Sequence, residues 1–226
     1  MILLYKATGE TVYLTKAKQY FQSYGLNYRA SQFDWDNKLA GVQVLMADIT
    51  KDAKYLDYTK QFINWAMKSA KKTPKGLVWI SEWGSNRHAA NIAGIALLAA
   101  KQNKNTAENK VWIEWAKKQV YLMLGDHGRS YVVGFGKNPP IRPHHRSSSC
   151  ALKSPTSCSF NNFNSKQGNP IVLVGALVGG PKQSGSFTDD RKDYKTNEVA
   201  IDYNAGFQTA VAGLVEMVDS GVILGK

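Results

Sequence analysis

The sequence predicts an all-α protein built from successive helical hairpins, and three observations carry that reading. Apolar residues recur at three- and four-residue spacing through five long segments, the pattern of one buried helix face. Stretches that alternate as strands do are scarce; "GLVWIS" (76–81) is the best and it is short. Runs rich in Gly, Pro, Ser and Asn separate the periodic segments, and the one from about Gly134 to Lys195 is of the length that usually carries function.

In chain order, "MILLYKATGETVYL" (1–14) reads as the end of one helix, a Gly turn and the start of the next. From Asp36, apolar residues follow at Leu39, Val42, Leu45, Met46 and Ile49. Similar faces run through "YLDYTKQFINWAMKSA" (55–70), "RHAANIAGIALLAAKQ" (87–102), "AENKVWIEWAKKQVYLML" (107–124) and "NAGFQTAVAGLVEMV" (204–218). Trp79, Trp112 and Trp115 fall inside apolar periodic stretches and are expected in the core.

Composition bounds the function classes. With 226 residues and 43% apolar content the chain has material for a real core, so disorder is not the default. The formal charge of +12 permits an anionic partner. The lysines, however, lie along helical segments such as "KQFINWAMKSAKK", where they make solvated faces, and no RNP or helix-turn-helix signature accompanies them. Nucleic acid is therefore not the expected partner. The N-terminus lacks a basic n-region and a small-residue cleavage site, and no apolar run approaches the roughly 20 residues of a bilayer span, so no membrane segment is expected. The two cysteines, Cys150 and Cys158, flank a loop short enough for a disulfide, with two free thiols as the alternative.

Chemistry concentrates in the long loop. "SYVVGFGKNPPIRPHHR" (130–146) places two of the four histidines of the chain side by side. Adjacent side chains rarely converge on one ion, and no His-x-x-x-His or Cys/His cluster joins them, so no metal site is assigned there. Downstream, "GALVGGPKQSGSFTDDRKDYKTNEVAIDYNAGF" carries Glu198 among Asp189, Asp190, Asp193 and Asp202. Cleaving a glycosidic bond needs a carboxylic acid to protonate the leaving oxygen, and acidic neighbours are one means of keeping such a group protonated. Six tryptophans and eleven tyrosines add flat rings of the kind that stack on sugars.

Two segments resemble the paired signatures of glycoside hydrolase family 9, the inverting β-1,4-glucanases. The first is seen in Gly136, Asn138, Pro143, His144, His145 and Arg146; the second in Phe187, Asp189, Tyr194, Glu198, Asn204 and Ala205, with "GALVGGP" between them. "FDWDNKLAGVQVLMA" (33–47) and "EWGSNRHAANIAGIALLAA" (82–100) resemble upstream blocks of the same family.

The resemblance implies an (α/α)6 toroid of the six-hairpin glycosidase type with inner and outer helices alternating, of which residues 1–226 supply a partial catalytic domain, about its C-terminal half. It implies Glu198 as the general acid in a catalytic set with Asp189 and His144. Arg146 joins His144 in the glycone-side cleft, Trp35 and Trp83 are stacking platforms, Arg87 is a nearby polar contact, and Tyr203 is a wall of the central subsite. The implied partner is a β-1,4-glucan, and the implied location extracellular, which suits a Cys150–Cys158 disulfide.

An inverting enzyme also needs a second carboxylate roughly 6.5–9.5 Å from the acid to activate water. The Asp-Ala-Gly-Asp motif that carries it in the family does not occur in these residues, and the family's structural calcium segment falls mostly before Met1, so no cofactor is expected within the chain. A half-toroid is further expected to expose apolar surface and to self-associate. Besides an endo-β-1,4-glucanase, two alternatives stand: a glucan-binding remnant without catalysis, and a helical interaction scaffold.

Overall fold

A computed structural model of the chain describes residues 1–150, 158–219 and 221. Among these, helices run as α1 (Ile2–Thr8), α2 (Thr11–Ser23), α3 (Leu39–Thr50), α4 (Ala53–Lys68), α5 (Ser85–Ala100), α6 (Thr106–Leu124), α7 (Phe160–Asn164), α8 (Tyr194–Asn197) and α9 (Ile201–Asp219). The expected start is observed: α1 ends at Gly9, whose φ of 74° makes the left-handed turn into α2.

Helix starts follow from local chemistry. Asp52 accepts the Lys54 amide at the start of α4, and Asn105 accepts that of Glu108 at the start of α6. α4 is amphipathic and buries Tyr55, Thr59, Phe62, Ile63 and Ala66 along one stripe. α5 is different: every residue but Leu98 is buried, so it is the central helix of the described structure. Its alanines let neighbours approach on all sides, and α6, α9, α3 and α4 all pack against it. Trp112 lies in that core, Trp115 is packed against it, and Trp79 is half-buried with its indole Nε1–H donated to the Pro181 carbonyl at 3.2 Å.

No strand forms at "GLVWIS". Val78 makes only an isolated bridge with Lys72. The reason is competition for backbone groups: buried Gln119 of α6 accepts the Val78 amide at 2.9 Å and donates to the Gly76 carbonyl at 3.1 Å. A side chain thus takes the place of a partner strand. Between α1, α2 and α3, Met1, Leu4, Tyr20, Val42 and Leu45 line an open, apolar groove of 560 Å³.

The tightest crossing is that of α5 with α9. A methyl added at Gly206 would stand 1.7 Å from Asn91 Oδ1 and 3.0 Å from the Asn91 amide nitrogen. Asn91 cannot swing away without losing its bond from Nδ2 to the Phe33 carbonyl, 2.7 Å long. Gly206→Ala is therefore expected to destabilise the fold by about 3 kcal/mol, the upper end of overpacking costs. The measurement is the urea midpoint; an unchanged midpoint would show that the two helices separate easily.

Candidate active site

Glu198 follows α8 directly, at a point where the chain turns from helix to extended backbone. Two donors meet on one of its oxygens: Trp83 Nε1–H and the Tyr203 hydroxyl each reach Oε2 at 2.8 Å. They come from different elements, Trp83 from just before α5 and Tyr203 from the first turn of α9. The carboxyl is thereby fixed in orientation, and among the described residues no side chain is recorded donating to Oε1. Tyr203 is buried at 1% exposure, and burial, reinforced by the bond to Glu198, pushes its hydroxyl well above the ordinary tyrosine value. It therefore stays a donor at any working pH.

Arg87 sits behind this pair. It is 9% exposed, pairs with Asp202 at 3.0 Å, donates to the Trp83 carbonyl at 3.2 Å and lies with its guanidinium carbon 5.1 Å from the centre of the Tyr203 ring. Its visible work is on the two residues that hold Glu198.

Asp189 does not face Glu198 as a partner acid. Its carboxylate accepts the amides of Ile141 (2.8 Å) and Arg142 (3.1 Å) and the side chain of Asn197 (3.1 Å). This clamps the first signature against the residue before Glu198. Asp193 caps α8 through the Lys195 and Thr196 amides, Asp190 accepts the Lys192 amide, and Asp202 belongs to Arg87. Each acidic neighbour singled out in the sequence is thus engaged by other donors.

His144 bridges to Glu198 through the backbone, its amide donating to the Asn197 carbonyl at 2.7 Å. Its ring Nδ1 lies 2.6 Å from the Arg191 carbonyl, which can only accept, so Nδ1 carries a hydrogen and Nε2 is the ring nitrogen turned away from this bond. His145 turns elsewhere, accepting the Ser148 amide on Nδ1 at 3.2 Å. Arg146 is exposed and lines the same cavity as both histidines. Cys150 and Cys158 form a disulfide with Cα atoms 5.3 Å apart, beside that cavity. Trp83 and Trp35 are exposed at 46% and 66%; Trp35 stands apart from the Glu198 group, over a hollow shared with Asp202 and Asn91.

Sequence reasoning missed Arg191, the residue that organises the loop. At 2% exposure its guanidinium donates to the carbonyls of Asn162, Ser165 and Gln167 at 2.8–2.9 Å and to Asn169 Oδ1 at 2.7 Å. Asn169 in turn donates to the Pro143 carbonyl and to Ser148. In "TDDRKDY" an arginine reads as one more solvated charge; the scarcity of acidic residues in the preceding loop is the only hint that it seeks carbonyls instead.

Among the described residues no group of three or more His, Cys, Asp or Glu is disposed to hold a metal ion. No helix among them is long and apolar enough to cross a membrane.

Residues 1–211 match the family model for Glycosyl hydrolase family 9. The chain belongs to that family. It is 35% identical over 232 residues to Endoglucanase A of Bacillus pumilus, covering 97% of this chain and 34% of that protein. It is 40% identical over 230 residues to an endoglucanase of Dictyostelium discoideum, covering 98% of this chain and 30% of that one. Among solved structures, an endoglucanase from the termite Nasutitermes takasagoensis superposes with a TM-score of 0.90 at 47% identity, over 96% of this chain and 49% of the termite one. Endoglucanase CelQ from Clostridium thermocellum, complexed with cellobiose and cellotriose, gives 0.85 at 33% identity, over 97% and 38%. The chain thus spans between about a third and a half of the length of these relatives. Its helical hairpins are those of the family 9 (α/α)6 barrel.

His88, next to Arg87, is 2% exposed and its Nδ1 has no hydrogen-bond partner. Burial first, then the Arg87 charge, lowers its pKa from 6.5 to about 4, against the opposing pull of Asp34 and Asp202. The unfolded chain therefore binds this proton more readily. Stability is complete above about pH 6.5, falls as the pH drops towards 4 and levels off below, an integrated loss of about 3 kcal/mol. Chemical denaturation at pH 7 and pH 4 should show this difference, and His88→Gln should shrink it; an equal pH slope in the variant would assign acid sensitivity to other groups.

Proposed function

We propose that this protein cleaves internal β-1,4-glucosidic bonds of cellulose and related β-glucans with inversion, Glu198 acting as general acid. The observation that supports this most is the convergence of Trp83 and Tyr203 on Oε2, which aims the other carboxyl oxygen of Glu198 in one fixed direction. Protonation of the leaving oxygen through Oε1 needs that kind of placement. The relatives are endoglucanases, and CelQ was solved with cellobiose and cellotriose bound, in keeping with a glucan as ligand.

In this reading Trp83 also offers part of its exposed ring to a glucosyl unit, and Trp35 offers another. His144, with Nδ1 committed to Arg191, accepts a sugar hydroxyl on Nε2, and exposed Arg146 donates to one. Tyr203 and Arg87 hold the acid, and Asp189 keeps the two signatures in register. The water-activating carboxylate lies outside residues 1–226, so activity belongs to a longer form of the domain. Secretion fits the same reading, since the Cys150–Cys158 disulfide persists in oxidising surroundings.

In a form that includes the second carboxylate, Glu198→Gln is expected to keep oligosaccharide binding and lose about 10²- to 10⁴-fold in hydrolysis of soluble cellulose. Aryl glucosides, with better leaving groups, should lose less. Residues 1–226 alone should turn over carboxymethyl cellulose negligibly. Turnover by that chain at the rate of the longer form would mean that a carboxylate within it serves as base, and the assignment would fail.

A further inference from the structure

A row of aromatic rings runs outward from Glu198. Trp83, whose N–H reaches the acid, packs edge-on against Tyr194 with ring centres 5.0 Å apart. Tyr194 meets His144 at 6.2 Å, His144 meets Phe163 at 6.2 Å, and Phe163 meets Phe160 at 6.3 Å. The row ends on a cavity of 380 Å³ lined by His144, Arg146, Phe160, Phe163 and Arg191 among others. That volume is at the small end of ligand pockets, which run from roughly 300 to 1,000 Å³.

Phe160 is the unexplained residue. It is 79% exposed, an unusual state for a ring whose burial is worth roughly 1.5–3 kcal/mol. It is not on a loose segment. The capping box of Ser159 and Asn162 fixes the start of α7, and buried Arg191 grips the carbonyls of Asn162 and Ser165. Cys158, two residues earlier, is tied to Cys150. Surroundings so heavily fastened hold an apolar face to water at the mouth of a cavity whose charged lining residues, Arg146 and Arg191, are cationic donors.

We propose that this cavity is a distal sugar subsite in which Phe160 stacks on a pyranose ring while Arg146 donates to its hydroxyls. The proposal rests on the glucanase reading above and extends its cleft past His144. A neutral β-1,4-linked glucosyl unit is the occupant because the cavity continues the ring-lined path from Glu198. A ring face with hydrogen-bond donors beside it matches the apolar face and hydroxyl rim of a pyranose. Holding the ring in advance lowers the ordering cost of binding.

The test is calorimetric titration of the protein with cellotetraose and with cellobiose. Phe160→Ala is expected to weaken cellotetraose binding about three- to tenfold, the worth of one aromatic contact. Cellobiose, able to bind nearer Glu198 without reaching Phe160, should change less, and Phe160→Tyr should bind as the parent does. Because the ring is exposed, the alanine variant should keep the parent's unfolding midpoint, which separates lost contact from lost structure. Unchanged cellotetraose affinity in Phe160→Ala, beside weakened affinity in Trp83→Ala, would overturn the distal subsite and leave the glucanase reading standing. Equal losses for both sugars would also overturn the distal placement. If the parent bound neither sugar, both readings would fall together.

Discussion

The close crossing of α5 and α9 is the constraint on which the site depends. Trp83 stands just ahead of α5 and Tyr203 in the first turn of α9, so their meeting on one oxygen of Glu198 requires those helix starts to lie side by side. Small residues on the facing surfaces make this possible, with Gly206 set against Asn91 and Gly94 against Thr209. A bulkier seam would move the two donors apart by more than a hydrogen bond tolerates. Packing in the core and orientation of the acid are thus one and the same requirement.

The long loop reaches order by another route. Among the described residues, its stretch from Gly134 to Gly175 adds no aliphatic or aromatic side chain to the main core, so its backbone carbonyls need donors, and the guanidinium of Arg191 supplies several from one buried point. The same residue accepts the Nδ1 proton of His144 on its carbonyl. Ordering the loop and orienting the histidine are consequently coupled. Asp189 repeats the arrangement with opposite polarity, a carboxylate collecting two backbone amides and Asn197. One cation and one anion, both satisfied by local dipoles, replace a hydrophobic core in this region.

The helices were readable from the sequence because their signal is local and repeated: one apolar face every three or four residues, ended by a cap such as Gly9 or begun by one such as Asp52. The signatures were readable because their residue types recur at fixed spacing. What escaped is what depends on closure in three dimensions. "GLVWIS" has the composition of a strand, yet Gln119, some forty positions on, takes its backbone bonds. Arg87 reads as a polar contact for sugar, and only the fold shows it spent on Asp202, the Trp83 carbonyl and the Tyr203 ring. Arg191 is marked only by the acid-poor loop before it, since a charged residue beside two aspartates looks the same whether it meets water or a ring of carbonyls.

α5 is also a ruler for the cleft. Three of its buried polar residues stand at the spacing of successive helical turns, Arg87 and His88 on the first and Asn91 on the next, and each meets a different partner. Arg87 reaches the carbonyl of Trp83, His88 stands 3.8 Å from Asp34, and Asn91 holds the carbonyl of Phe33. Trp83 and the segment bearing Trp35 are therefore referred to one rigid helix, although some fifty residues separate them in sequence. Such a helix must be buried on all sides to be rigid, and it must carry polar groups to reach the backbone it positions. Those demands conflict unless the buried charges are paired or removed. Arg87 meets the conflict by pairing with Asp202, Asn91 by its bond to a carbonyl, and His88 by staying neutral. The distance between the two exposed tryptophans is thus set by the register of a single helix, and altering that register by one residue would displace both of its anchors at once.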